Sequence, residues 1–332
     1  KRRQRQMCIR DSPNTMDLIA LKNGAEADRL RVESIGGGDI RIPGQTDSES
    51  EEVYVEHSFA EIADFCKWRY IQTLSDYVEL NEGPEIWAFL LDVWQTMKQS
   101  IDEGLSKTGV LPGGLNVQRK AKYLYEQHPD DENPAMKEFQ MIAAYAYAVA
   151  EQNADNGTIV TAPTCGSAGV MPALVYALRH EMFIGDRAIR EAFLASAAVG
   201  FIAKHNASIA GAEVGCQGEI GVASAMAAAF VADARGYRSR VTENAAEVAL
   251  EHHLGITCDP VQGYVQIPCI ERNAMGAIKA YNAAVITSGT DPYSQRVSLD
   301  AAIAAMAETG REMSCKFKET SLGGLAVSMV AC

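Results

Sequence analysis

Residues 221–234 read GVASAMAAAFVADA, and residues 191–204 read EAFLASAAVGFIAK. Both are runs of small apolar residues flanked by charge. Each is shorter than the ~20 residues a membrane-spanning helix needs, so buried helix is the better reading. Alanine has the highest helix propensity and lets neighbouring helices approach closely. Apolar on every side, these segments predict the centre of a tightly packed helical bundle.

Outward from that centre the helical pattern continues. From about Glu56 onward, FAEIADFCKWRYIQTLSDYV (59–78) and PEIWAFLLDVWQTMKQSIDEGL (84–105) carry apolar residues at steps of three and four, as amphipathic helices do. Further helices are predicted near 114–128, 134–153, 168–182, 186–204, 218–236, 241–254, 270–288 and 298–313. Residues 13–43 mix short β-type runs with a Gly-Gly-Gly turn and read as a fragment of an α/β unit. An acidic, turn-rich stretch follows. The expected organisation is a remnant at 13–45, a linker at 46–55 and a mainly α, multi-helix domain at 56–332. Residues 1–12, KRRQRQMCIRDS, are basic in an otherwise acidic chain and lack the apolar segment of a signal peptide. They read as translated adapter sequence, a non-native extension; a genuine basic arm is the alternative.

The 332 residues carry a net charge of −13, which argues against a nucleic-acid surface, since phosphate binding needs clustered Lys and Arg. No export signal is recognisable, so a reducing, cytoplasmic setting is expected. There the cysteines serve as buried thiols, ligands or catalytic groups rather than disulfide partners.

Three cysteines fall in Gly-, Pro- and polar-rich connections: GAEVGCQGEIG (Cys216), GITCDPVQGYVQ (Cys258) and IPCIERNA (Cys269). Their spacing, C-x41-C-x10-C, matches neither a zinc ribbon nor ferredoxin-type runs. Cys216 and Cys269 lie at or just before predicted helix starts, where the positive dipole end favours thiolate. Three thiolates would hold three corners of a [4Fe-4S] cluster and leave one iron open as a Lewis acid. The alternative is three small buried hydrophobes. The polar setting favours the cluster: Lys204, Asn206, Ser208, Glu213, Glu219, Glu271, Arg272 and Asn273 all lie close in sequence to the thiols. A fourth segment, TAPTCGSAGVMP, has the form of an anion cradle, with a helix near Ser167 aiming its N–H groups at a carboxylate.

Taken in order, TAPTCGSAG (161–169), NASIAGAEVGCQGE (206–219), CDPVQGYVQIPCIERNA (258–274) and KETSLGGLA (318–326), with Cys332 last, resemble the iron–sulfur L-serine dehydratases of bacteria. The resemblance covers the cluster-binding α domain from about residue 56, and the piece before it resembles the closing part of the family's β domain. It implies that Cys216, Cys258 and Cys269 ligate a [4Fe-4S] cluster, with Cys332 a displaceable fourth ligand. It implies conversion of L-serine to pyruvate and ammonia, hence a lyase of amino-acid degradation feeding gluconeogenesis. Thr164, Cys165, Gly166, Ser167, Asn206, Arg272 and Asn273 are the expected substrate contacts; Lys204 and Glu213 are candidates for the α-proton base, as is His205. A homodimer, or pairing with a β domain or subunit, is expected, and no membrane partner. Two departures stand out: Cys165 replaces a common Asn, and Ala210 a common Ser. The β-domain motif S-x-S-S-H-T-x-G-P is missing, so this chain is expected to hold an incomplete active site. The rival readings are a pyridoxal-phosphate dehydratase, a cluster-dependent L-cysteine desulfidase, an iron–sulfur redox or sensor module, and a helical bundle with incidental cysteines.

Overall fold

The structure, a computed structural model, describes residues 15–36, 39–45, 53–127 and 133–328. The expected extension at 1–12 and Cys332 lie outside those residues. The chain divides into two compact units, with the boundary between Glu52 and Val53.

The first unit is an antiparallel meander of β1 (Thr15–Lys22), β2 (Ala25–Gly36) and β3 (Asp39–Arg41). The β1–β2 turn is Asn23-Gly24, both with positive φ, the geometry that suits the twist of a hairpin. No helix accompanies it among the described residues, so the expected α/β fragment supplies only its strands. Leu18, Ile19, Leu21 and Leu30 are exposed.

The second unit is helical. It opens with α1 (Phe59–Arg69), α2 (Leu74–Glu82), α3 (Ile86–Ser106), α4 (Ala121–Glu126) and α5 (Pro134–Ala154). Next come α6 (Val170–His180), α7 (Asp186–Asn206), α8 (Gly211–Val214), α9 (Val222–Ala234) and α10 (Ser239–Glu251). It closes with α11 (Cys269–Ser288), α12 (Leu299–Glu312) and α13 (Leu325–Ser328). Caps written in the sequence set several of these starts. Ser58 and Glu61 form a reciprocal capping box on α1, and Ser298 caps α12, each satisfying otherwise orphaned N–H groups. Asp300 of α12 accepts from the Phe59 and Ala60 N–H groups, which fastens the start of α1 to α12.

The opening Ala-rich segment is the axis. Residues 221–234 are buried except for Met226 and Asp233, and α9 packs against α6, α7, α10 and α11. A π-helical turn, Gln217–Gly221, leads into α9, so the helix predicted from 218 begins with a widened turn. The helix predicted over 114–128 is corrected: among the described residues only Ala121–Glu126 is helical. Gly113 and Asn116 have positive φ and Val110 bridges to Gln118, so the preceding residues form a loop instead. No helix among the described residues is long and apolar enough to cross a membrane.

Candidate active site

Two of the three motif cysteines meet directly, and the third lies near enough for the charge of Cys216 to act on it. Cys216 sits between α8 and the π-helical turn, Cys258 lies in the loop after α10, and Cys269 opens α11. All three are buried, and none forms a disulfide. The Cys216 and Cys258 sulfurs and a Glu219 oxygen lie within 4.8 Å of one another. Cys258 Sγ is 3.6 Å from Glu219 Oε2 and 3.8 Å from Glu319 Oε1.

Charge is distributed unevenly over this group. A hydrogen bond from Cys258 and, after the opposing effect of burial, the Arg272 guanidinium hold the Cys216 thiol below its usual range. Cys258 is pushed up by donating to Cys216 and by burial. Cys269 is pushed up by burial first and then by the Cys216 charge. Cys216 is favoured as thiolate by its neighbours, whereas burial opposes charge on Cys269. Glu219 is raised to about 7 by burial and by Cys216; Glu319 is raised to about 7 by burial and by Glu219.

This donor set fits an iron–sulfur cluster. Thiolate is the ligand such clusters use, the thiols are buried and not joined by disulfides, and a cation among them would relieve the desolvation that pushes two of them up. Cys216, Cys258 and Cys269 are the residues that would hold it.

The cradle loop is tied to the thiols by two side chains. Thr164 Oγ1 donates to Glu219 Oε1 at 2.7 Å, linking the loop to the carboxylate beside Cys258. Asn273, one turn beyond Cys269, is 1% exposed. Its Oδ1 accepts from Gly169 N–H, and its Nδ2 donates to the carbonyls of Gly166 and Cys269, each at 2.8 Å. Three bonds engage both donors and the acceptor, so Asn273 braces the loop. The cradle is also narrower than expected. Helix α6 starts at Val170, and the Ala168, Gly169 and Val170 N–H groups already have partners in Cys165 O, Asn273 and Ser167 O. Ser167 is fully buried and Thr164 nearly so, while Cys165 is exposed and Gly166 partly so.

Arg272 is likewise engaged. It donates to Thr257 O and, at 3.0 Å, to Asp259 Oδ1. Asn206 is exposed and donates to the His57 and Ile202 carbonyls. Lys204, His205 and Glu213 are exposed too, and His205 stacks on His57 with ring centroids 4.2 Å apart.

Residues 315–328 form a strap across the Cys258 loop. Cys258 N–H donates to Phe317 O, and Glu319 N–H donates to Cys258 O, a short parallel bridge. Ser321 Oγ donates to Pro260 O, and Leu325 N–H donates to Asp259 Oδ2 at 2.7 Å. Asp259 thus holds Arg272 with one oxygen and the strap with the other. Glu319 and Ser321 both have positive φ, uncommon for residues with a side chain.

Sequence reading grouped Glu219 with the polar neighbours but gave it no role, and gave none to Glu319 or Asp259. Glu219 had a signal, since it follows Cys216 by three residues, the spacing that puts side chains on one helical face. Glu319 is placed by the strap, and Asp259, next to Cys258 in sequence, is held by Thr257 and Arg272 as well as by the strap.

Residues 25–326 match the family described as serine dehydratase alpha chain, and the chain belongs to that family. It is 43% identical to L-serine dehydratase TdcG of Escherichia coli (strain K12) over 329 residues, 96% of this chain and 72% of that protein. It is 46% identical to an L-serine dehydratase of Streptomyces coelicolor over 258 residues, 77% of this chain and 55% of that one. A Helicobacter pylori L-serine dehydratase is 41% identical over 313 residues, 89% of this chain and 68% of that one.

Proposed function

We propose that this chain is the cluster-bearing part of an L-serine dehydratase, a lyase that converts L-serine to pyruvate and ammonia. The observation that carries the reading is the meeting of Cys216, Cys258 and Glu219 within 4.8 Å of one another, tied to the Thr164–Gly169 loop through Thr164 and, beside Cys269, through Asn273, in a member of this family. When bound, a [4Fe-4S] cluster would supply one iron lacking a fixed protein ligand, a Lewis acid for the serine hydroxyl and carboxylate.

The chain's own residues have separable tasks. Arg272 keeps Cys216 charged as a ligand, and Asp259 orients Arg272. Thr164 and Asn273 hold the Gly166–Ser167 backbone facing the thiol group, where its N–H groups would orient the substrate carboxylate. Burial of the thiols excludes water around the reacting carbon. Cys332 is proposed as a displaceable fourth ligand. Lys204 and Glu213 are retained as candidates for the α-proton base. Residues 13–45 are proposed as the closing part of a β domain whose remainder contributes further substrate contacts, in a cytoplasmic homodimer or with a β partner.

The test is anaerobic purification with iron and sulfide analysis, then spectroscopy with and without L-serine. About four irons and four sulfides per chain, with a cluster signal that serine perturbs, support the reading. A well-folded anaerobic preparation without iron would sink it.

A further inference from the structure

The segments that carry Cys216 and Cys258 are joined by one buried amide. Gln217 follows Cys216 directly, opens the π-helical turn and is fully buried. Its Nε2 donates to Val214 O at 2.8 Å and to Met306 O at 3.2 Å, and its Oε1 accepts from Gly255 N–H at 2.9 Å. Both donors and the acceptor are engaged. One side chain therefore holds the end of α8, the middle of α12 and the loop that reaches Cys258 three residues later.

The same two segments meet at a second point. Gly215 has a φ of +77°, and a Cβ on it would stand 2.8 Å from Ile256 O. Only a residue without a side chain lets the backbone before Cys216 lie this close to the backbone before Cys258. The glycine permits the approach, and the amide of Gln217 fastens it. The turn that Gln217 opens is itself unusual: Val222 N–H reaches back five residues to Gln217 O, and single π-helical turns occur mostly at functional sites. A buried amide placed here costs stability unless each of its bonds is made, and each is.

We infer that Gln217 is the positioning residue of the thiol pair: its amide keeps the Cys216 turn joined to the Cys258 loop, so that both sulfurs stay in one group. This rests on the cluster-bearing reading and adds to it the residue that holds two of the ligand positions together. Gln217 touches neither sulfur and acts through the backbone on each side. Its bond to Met306 O also makes the pair depend on α12, an element that contributes none of the three motif cysteines.

The experiment uses the full chain, anaerobic, in two arms. In the first, iron-free protein is titrated with phenylarsine oxide, which bridges two neighbouring thiols, and the bridged cysteines are mapped by mass spectrometry. In the second, cluster-loaded protein is challenged with an iron chelator and the rate of iron loss is followed. Gln217→Met keeps the volume and removes all three bonds. Gln217→Glu keeps the acceptor for Gly255 N–H and turns both donors into acceptors facing carbonyls. Ser224→Ala is the control, since it removes a buried bond from Ser224 Oγ to Gly276 O that links α9 to α11 instead. Wild type is expected to bridge Cys216 and Cys258. Both Gln217 variants, folded by circular dichroism, are expected to bind the arsenical about tenfold more weakly and to lose iron about tenfold faster, with Ser224→Ala within about twofold of wild type in both arms. Wild-type arsenical affinity in Gln217→Met, an equal loss in Ser224→Ala, or no Cys216–Cys258 bridge in wild type would overturn the inference. Failure of both Gln217 variants to fold would also overturn it, assigning the amide to folding alone. Wild type that pairs the thiols on the arsenical yet takes up no iron would sink the dehydratase reading and leave the inference standing on the first arm.

Discussion

Asn273 offers a direct test of how the Thr164–Gly169 loop is joined to α11. Replacing it with Ala removes three hydrogen bonds of 2.8 Å and leaves the Gly169 N–H, previously paired with Oδ1, without that partner. A buried hydrogen bond contributes about 0.5–1.5 kcal/mol net, and a stranded buried donor costs about 1–3. Asn273→Ala should therefore destabilise the chain by about 3 kcal/mol. Asn273→Asp separates the brace from mere packing. A carboxylate can still accept from Gly169 N–H, but it turns both donors into acceptors facing two carbonyl oxygens. At neutral pH Asn273→Asp should cost more than Asn273→Ala. The gap should narrow on acidification, because a protonated Asp regains one donor. Urea unfolding of anaerobic protein at matched iron content, at pH 5 and pH 7.5, reads both effects. A loss below about 1 kcal/mol for Asn273→Ala, or an Asp variant as stable as wild type at pH 7.5, would refute the brace.

Gly211→Ala drives a methyl to within 3.0 Å of Glu219, Glu319 and Cys258; overpacking of this kind costs about 1–3 kcal/mol, and iron content per chain should fall well below wild type. Asp259→Asn weakens the hold on both Arg272 and the Leu325 N–H, so limited proteolysis should cut within 315–328 several times faster, while circular dichroism is unchanged. His253 is 2% exposed and donates through Nδ1 to Ala249 O; burial pushes its pKa down to about 4. With the unfolded value near 6.5, the unfolded chain binds the extra proton between those limits. Stability is full above pH 6.5 and falls as the pH drops toward 4, by up to about 3 kcal/mol. His253→Asn, which keeps a donor but cannot charge, should flatten that part of the urea-midpoint profile against pH.

The helical core was legible because it depends on local pattern. The run at 221–234 is apolar on every side, and that alone fixes it as an enclosed helix. Ser58 with Glu61, and Ser298, announce helix starts through residues three apart. The helix expected from 114 gives way to loop as far as 120, where positive φ at Gly113 and Asn116 sets a course that a periodicity argument does not sense. The cysteines stood out by their setting, whereas their acidic neighbours did not. Glu319 reaches Cys258 through the strap, a contact between residues far apart in sequence. Asn273 shows another limit: the resemblance implies a substrate contact, and nothing in the sequence hints that its side chain also ties Gly166 and Gly169 to Cys269.

The strap also bears on the order in which the molecule is assembled. Synthesis proceeds at about 5–20 residues per second, so Cys216, Cys258 and Cys269 leave the ribosome seconds before Glu319 and Leu325 can reach them. During that interval the thiols lack the segment that later crosses the Cys258 loop.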